Sequence, residues 1–289
     1  MSPATSVRES VLLTALPSAA AIIAFAGNAV LCRLALGSGS IDAATFSLVR
    51  FGAGAAILVL VLWLTDNRRT VLAGTWTSAL VLFAYAVPFS YAYLTLSAGT
   101  GALLLFGSVQ VTMMTTALVS GERPTVVQWL GLAAAFGGLV YLLRPGLTAP
   151  PLVGSLLMIG AGVFWGTYSL LGRASVRPLA HTAGNFARVS PLLACAWIAD
   201  RPHWHVTSSG LAIAALAGTI TSALGYVVWY FALRRLSATR ASIVQIAVPV
   251  LAAVAGVSVM GESMTLRLVL SAAMVLGGVA LTLAGRETR

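Results

Sequence analysis

Residues 96–138 read LSAGTGALLLFGSVQVTMMTTALVSGERPTVVQWLGLAAAFGG, and residues 236–278 read LSATRASIVQIAVPVLAAVAGVSVMGESMTLRLVLSAAMVLGG. The two stretches align without a gap at an offset of 140 residues (236 minus 96, 261 minus 121). They share Leu-Ser-Ala at their starts, Gly121-Glu122 with Gly261-Glu262, Thr125 with Thr265, and Gly137-Gly138 with Gly277-Gly278. Each reads as an apolar run, a short polar turn and a second apolar run, and each run is long enough for a helix through a bilayer. An internal repeat of this kind decides the architecture before any single residue does. Earlier positions correspond less tightly: Phe25-Ala26-Gly27 meets Phe164-Trp165-Gly166, and Phe46 to Arg50 meets Gly184 to Arg188, each with a shifted offset.

The composition agrees with a membrane chain. Of 289 residues, 59% are hydrophobic and 8% are charged, against roughly 25% charged in a soluble domain. Mean hydropathy is +0.95. There is too little polar surface to cover a soluble core, which excludes a soluble enzyme, a disordered chain and a disulfide scaffold. All 17 basic residues are arginines, set singly or in pairs between apolar runs. That is how topology signals are placed; it is not a nucleic-acid patch. Cys32 and Cys195 lie far apart in apolar runs, without metal spacing, and read as packing residues. The run from Val11 to Leu36 is too long for a signal-peptide core, so the first helix is expected to stay in the mature protein.

Apolar runs bounded by charges and turn residues predict ten spans: 11–36, 42–64, 71–94, 98–119, 125–143, 152–172, 180–199, 209–232, 238–259 and 265–284. With both termini cytoplasmic, Arg8, Arg68, Arg69, Arg123, Arg173, Arg177, Arg234, Arg235, Arg240, Arg286 and Arg289 fall inside. Only Arg33, Arg144, Arg201 and Arg267 then fall outside, the bias that orientation requires. The expected fold is therefore an all-α integral membrane protein of ten transmembrane helices, in two halves, 1–146 and 147–289. Five is odd, so the second half enters the membrane from the opposite side. Inverted five-helix repeats are common in secondary transporters, where two inverted halves exchange conformations around a midplane site.

The chain resembles a ten-helix, EamA-type member of the drug/metabolite transporter superfamily. The resemblance rests on Gly121-Glu122-Arg123-Pro124-Thr125 with Gly137-Gly138, on Gly261-Glu262-Ser263-Met264-Thr265 with Gly277-Gly278, on Phe164-Trp165-Gly166 and on Pro249. It departs at Ala26, where tryptophan is usual, and at Val109, where proline is usual. It covers essentially the whole chain. It implies export of small metabolites, and in general appearance it is nearest to the bacterial exporters of aromatic and related amino acids. Nucleosides, drugs and lipid precursors are the alternative cargoes.

Polar and aromatic residues at mid-depth are the candidates for a cavity, since unpaired polar groups in hydrocarbon are costly. They are Asn28, Tyr85, Ser108, Gln110, Trp165, Tyr168, Tyr226 and Gln245. Each competes with ordinary helix–helix packing, and Tyr91 and Tyr93, like Trp229 and Tyr230, with an interfacial belt. Pro88 and Pro249 can kink their helices. Arg50 and Arg188 fall inside spans at matching places. Snorkelling, helix carbonyls and Asn185 are the expected partners, with a substrate carboxylate as the sharper alternative. Glu122 and Glu262 are expected to cap the helix that follows each or to pair with arginine, and to hold one side of a cycle shut.

No carboxylate or histidine lies near mid-depth, and there is no nucleotide-binding loop. Facilitated export is therefore expected rather than ATP-driven or strongly proton-coupled transport. The same absence disfavours an intramembrane enzyme, which needs a nucleophile with a base or a metal set at depth. No cofactor and no metal are expected. The partners are a small solute such as an amino acid and the bilayer, and the chain is expected to act as a monomer. Arginine and alanine usage suggests a GC-rich bacterial genome, and hence an inner membrane.

Overall fold

The computed structural model describes residues 3–65, 73–119, 125–146, 149–173, 175–234, 236, 245 and 247–284. The Gly121-Glu122 turn, Arg68, Arg69, Arg123 and most of 237–246 lie outside the described residues.

The chain is an all-helical membrane protein of ten helices in two duplicated halves. The first half holds α1 (Pro3–Gly37), α2 (Ala43–Thr65), α3 (Trp76–Ala92), α4 (Ala98–Val119) and α5 (Val126–Leu143). The second holds α6 (Leu152–Gly172), α7 (Pro178–Ala199), α8 (Ser208–Leu233), α9 (Ala247–Met260) and α10 (Leu266–Ala284). At 1.5 Å rise per residue, the 23 residues of α2 cross the hydrocarbon with margin. The mean hydropathy of that helix is 2.1 although it contains Arg50.

Boundaries differ from expectation where local chemistry intervenes. The third span is predicted from 71, yet residues 73–75 are non-helical. Gly74 takes a positive φ of 86° and Thr75 accepts the Ser78 N–H, so α3 starts at Trp76. The repeated threonines have one local role. Thr125 and Gln128 form a reciprocal capping box on α5, and Thr265 accepts the Leu268 N–H on α10.

The halves pack so that exchanging them maps the contacts onto themselves. α2 meets α7, α4 meets α9, α5 meets α10, and α3 on α6 mirrors α8 on α1. The repeated Gly-Gly pairs explain the α5–α10 contact. A Cβ on Gly278 would overlap the Gly131 carbonyl oxygen, and one on Gly138 would lie 2.9 Å from the Met274 Cβ. The outer surface carries large apolar side chains such as Leu64, Leu130 and Phe136, the face a bilayer covers.

One end of the bundle gathers the loops after α1, α3, α5, α7 and α9 and is called here the Glu262 end. Its loops are knitted together: Ile41 and Val206 form an antiparallel bridge, and Asp42 accepts both the Thr45 and His205 N–H groups. At the opposite end, called the Arg188 end, the Ala73 N–H donates to the Ala180 carbonyl.

Candidate functional site

The centre of the bundle is organised by an irregular segment of α8. Residues Ala217–Leu224 form a π-helix inside an otherwise α-helical span. Such segments occur mostly as short interruptions and often at functional sites. Here the wider turn brings α8 hard against α2. A Cβ on Gly218 would overlap the Arg50 carbonyl oxygen, so only glycine allows that approach. Ser222 then points inward and donates to Asn28 Oδ1 of α1 at 3.3 Å, while Thr221, equally near that oxygen, has its one proton on the Ala217 carbonyl at 2.8 Å. Cys32 Sγ donates to Asn28 Oδ1 at 3.7 Å.

Arg50 lies beside this cluster and is fully buried. Its Nε donates to Ser222 Oγ at 2.7 Å, and its Nη2 donates to Tyr85 Oη and Tyr226 Oη, each at 3.2 Å. Its Nη1 has no hydrogen-bond partner. The guanidinium carbon sits 4.9 Å from the Phe51 ring centroid and 5.0 Å from that of Phe89. Among the side chains the structure describes, the carboxylates are those of Asp42, Asp200 and Glu262; all are at the Glu262 end, and none pairs with Arg50. A buried cation without a counter-charge costs several kcal/mol, so a site that keeps one is a functional candidate. Snorkelling and helix carbonyls were the expectation for Arg50. Instead it turns inward to side-chain hydroxyls from both halves.

Tyr85 and Tyr226, which accept from the guanidinium, also belong to the aromatic wall of a small cavity, whose lining does not include Arg50 itself. Phe25, Asn28, Tyr85, Phe89, Trp165 and Tyr226 are among its lining. The rings touch: Trp165 lies 4.6 Å from Tyr226, 5.1 Å from Tyr85 and 5.5 Å from Phe25. Trp165 Nε1, buried, has no hydrogen-bond partner. The cavity has a volume of about 10 Å³, room for roughly one water.

Above it, at the Glu262 end, an ion pair joins the two halves. Gly261, at φ 64°, ends α9 and turns Glu262 back over the bundle. Glu262 Oε1 accepts from Arg33 Nε at 3.1 Å, and Oε2 accepts the Ala98 N–H at the start of α4 at 2.9 Å. Arg33 Nη1 also donates to the Tyr93 carbonyl at 3.1 Å. The expected arginine pairing is present. The helix that Glu262 caps is α4, in the other half, rather than the following α10, whose cap is Thr265. Beside the ion pair lies a pocket of about 300 Å³ bordered by Arg33, Thr100, Pro151 and Glu262. Glu122, the matching residue of the first half, lies outside the described residues.

The structure thus brings Asn28, Tyr85, Trp165 and Tyr226 together around one cavity. Tyr168 is fully buried behind Trp165, 5.9 Å between rings, and its hydroxyl accepts from Asn185 Nδ2. Ser108 lies outside this lining: it bonds the Leu104 carbonyl and packs on Gly162 of α6. Gln110, half-buried on α4, and Gln245, fully buried, are also outside it. Pro249 borders an apolar groove with Gly99 and Leu103. Pro88 leaves α3 helical through to Ala92. Arg188 donates to the Ala73 and Gly184 carbonyls, while Asn185 bonds Thr75 and Tyr168 rather than the arginine.

The belt expectation fails for three rings. Tyr93, Trp229 and Tyr230 are at most 1% exposed, because α3 and α8 lie inside the bundle at those depths. Sequence reasoning passed over Phe25, Phe89 and Ser222. Ser222 carried no signal, since only the π-turn aims it at Arg50.

The sequence profile of the EamA-like transporter family matches residues 12–144 and again residues 152–284. A Pseudomonas aeruginosa protein described as "Uncharacterized protein PA1977" is 48% identical over 282 residues, 98% of this chain and 97% of that one. The threonine/homoserine exporter RhtA of Escherichia coli is 31% identical over 188 residues, 60% of each chain. A solved crystal structure superposes with a TM-score of 0.69 at 20% identity, over 95% of this chain and 99% of the other, a likeness of fold alone.

Proposed function

The chain belongs to the EamA-like transporter family, and on that premise we propose that it exports neutral and hydrophobic amino acids, aromatic ones included, from the bacterial cytoplasm. The observation that carries this reading is the aromatic-walled cavity between the halves, with Asn28 in its lining and Arg50 bonded to the lining tyrosines Tyr85 and Tyr226. Aromatic walls suit an apolar side chain, and a few convergent polar groups suit its charged end. The likeness to a threonine/homoserine exporter over 60% of each chain supports the same solute class.

In this reading the two halves, 1–146 and 147–289, are inverted and sit in the inner membrane as a monomer. Both termini are cytoplasmic and the Glu262 end faces outward. The Arg33–Glu262 lock holds the outward side closed. Exchange of conformations between the halves breaks it and opens the cavity outward. The cavity at about 10 Å³ is a contracted form that opens to take up solute. The solute gradient supplies the drive.

The test is reconstitution into proteoliposomes with radiolabelled tryptophan, phenylalanine, threonine and a nucleoside, without an ion gradient. Saturable, counterflow-stimulated movement of the amino acids is expected. Folded protein in inert vesicles would overturn the reading. Marked acceleration by an imposed pH gradient would overturn the facilitator part of it.

A further inference from the structure

The pocket beside the Arg33–Glu262 pair has the room that the central cavity lacks, about 300 Å³ against about 10 Å³. That is the lower end of the range for small-molecule sites. Its lining holds one cation and one anion, Arg33 and Glu262, with the hydroxyl residues Ser97 and Ser263. Leu142, Pro151 and Leu268 supply an apolar side. Neighbouring Arg267 is outside the lining and donates to the Arg144 carbonyl. Both charged groups are seated by glycines. A Cβ on Gly37 would lie 2.6 Å from Arg33 Nη1, and one on Gly256 would lie 2.5 Å from Glu262 Oε2. The two side chains remain 24% and 14% exposed, and neither is spent. Arg33 uses Nε on Glu262 and Nη1 on the Tyr93 and Leu94 carbonyls, which leaves Nη2 over among the described residues. Glu262 receives the Arg33 and Ala98 N–H groups, against about four lone-pair positions on a carboxylate.

We propose that this pocket is a second solute site, separate from the central cavity, and that it selects zwitterions. The class is neutral α-amino acids with a small or branched side chain. The α-carboxylate takes Arg33, the α-ammonium takes Glu262, and the side chain lies toward Leu142, Pro151 and Leu268. The selection follows from the charges. A carboxylate alone gains Arg33 but faces Glu262, and an amine alone gains Glu262 but faces Arg33. A zwitterion meets opposite charge at both ends. An α-amino acid carries both charges on groups bonded to one carbon, close enough to lie along a contact ion pair. With the Glu262 end outward, a placement that rests on the transport reading, this is the site a solute occupies as it leaves.

The test reads the pocket itself. Ser263 is exposed and belongs to the lining, so Ser263→Cys in a Cys195→Ser background puts a reactive thiol at the site. Its labelling by a membrane-impermeant methanethiosulfonate is followed in detergent-purified protein, with the same background lacking the Ser263 change as the blank for buried Cys32. The probes are leucine, 4-methylpentanoate, which lacks the amine, and leucinamide, which lacks the carboxylate. Leucine is expected to slow labelling, half-maximally at a concentration at least about tenfold below that of either analogue, the scale of a charge-assisted hydrogen bond. Protection by either analogue as strong as that by leucine, or none by leucine, would overturn the proposal. A second variant assigns the charges. Glu262→Gln should remove leucine's advantage over 4-methylpentanoate and keep its advantage over leucinamide, because Arg33 still takes the carboxylate. Loss of both advantages, or of neither, would overturn the roles given to the pair. Zwitterion-selective protection without counterflow would sink transport and spare this site. Counterflow with unselective protection would do the reverse.

Discussion

Arg50 and Arg188 occupy matching places in the two halves and do opposite things. Arg188 is half-buried and spends Nη1 on two backbone carbonyls, Ala73 at 2.8 Å and Gly184 at 2.9 Å. Those acceptors are fixed, and the bonds tie the segment before α3 to α7. Arg50 is fully buried and bonds three side-chain hydroxyls drawn from α3 and α8, leaving Nη1 over. A glycine sets each environment. Gly184 lets the Ala73 carbonyl come close to α7, and Gly218 lets the π-segment come close to α2. One arginine is a strut between backbone segments; the other is a buried charge with one nitrogen left unbonded.

The widest separation between them is expected on neutralisation. Arg50→Gln should lower amino-acid counterflow by about tenfold, because the cavity-lining Tyr85 and Tyr226 lose the charge-assisted bonds that position their hydroxyls. Its melting temperature should move little, because removing an uncompensated buried charge offsets the lost bonds to Ser222 and the tyrosines. Arg188→Gln should do the opposite: stability falls by about 1–3 kcal/mol as the Ala73 and Gly184 carbonyls lose their donor, while counterflow changes less than about threefold. Paired melting and counterflow measurements decide it. Parallel losses of both quantities in both variants would break the contrast.

The two glycines sharpen it. In Gly184→Ala and Gly218→Ala the added methyl overlaps a backbone carbonyl, Ala73 in one and Arg50 in the other. Each should cost about 1–3 kcal/mol, the usual penalty of overpacking. Only Gly218→Ala should also reduce solute binding, since moving the π-segment withdraws Ser222 from Arg50 and Asn28. Equal solute affinity in the two variants would show that the π-segment does not set the site.

Much of the architecture was legible before any coordinates. The repeat at 140 residues, the apolar runs and the Gly-Glu and Gly-Gly pairs point to ten helices in two halves. Asn28, Tyr85, Trp165 and Tyr226 were visible as polar or aromatic groups at mid-depth. What was hidden depends on how helices meet. The i, i+3, i+4 pattern assumes an α-helix, so it misplaces residues beyond Ala217, where the π-turn rotates the face that α8 presents. Arg50 looked free to snorkel, because nothing in its own helix says that two tyrosines from other helices enclose it. Glu262 was read against the helix next in sequence, but Gly261 turns it toward α4 of the other half. Tyr93, Trp229 and Tyr230 sit near span ends, where a belt is the usual reading, and are buried by neighbours that sequence order does not reveal.

The two arginines also differ in what lies between them and the Glu262 end, and the lock there has a built-in reporter. Cys32 is fully buried on α1, between Asn28 of the cavity floor and Arg33 of the lock, whereas Cys195 is exposed. In a Cys195→Ser background, a membrane-impermeant maleimide should label Cys32 slowly. Glu262→Gln weakens the bonds to Arg33 and to the Ala98 N–H, and the labelling rate should rise about tenfold, the equivalent of about 1.4 kcal/mol in the closing equilibrium. If the rate is unchanged, the ion pair is a surface ornament and the closure resides in apolar packing.

The smallest expected effects come from the two capping threonines, and they separate what duplication kept from what it changed. Thr125 caps α5 in a reciprocal box with Gln128, its side chain accepting the Gln128 N–H at 3.3 Å while Gln128 Oε1 accepts the Thr125 N–H at 2.8 Å. Thr265 caps α10 through the Leu268 N–H at 3.2 Å and has leucine where a box needs glutamine. Thr125→Ala and Thr265→Ala should each cost about 1 kcal/mol, with the larger loss at Thr125, where Gln128 also loses its reciprocal partner. Neither helix supplies a residue to the central cavity's lining, so solute affinity there should be the same in both variants. A cap is satisfied within one turn and survives inversion of the half unaltered, which is why the threonines kept one role. An arginine's role depends on what the other half brings to it, and that is where the two halves parted.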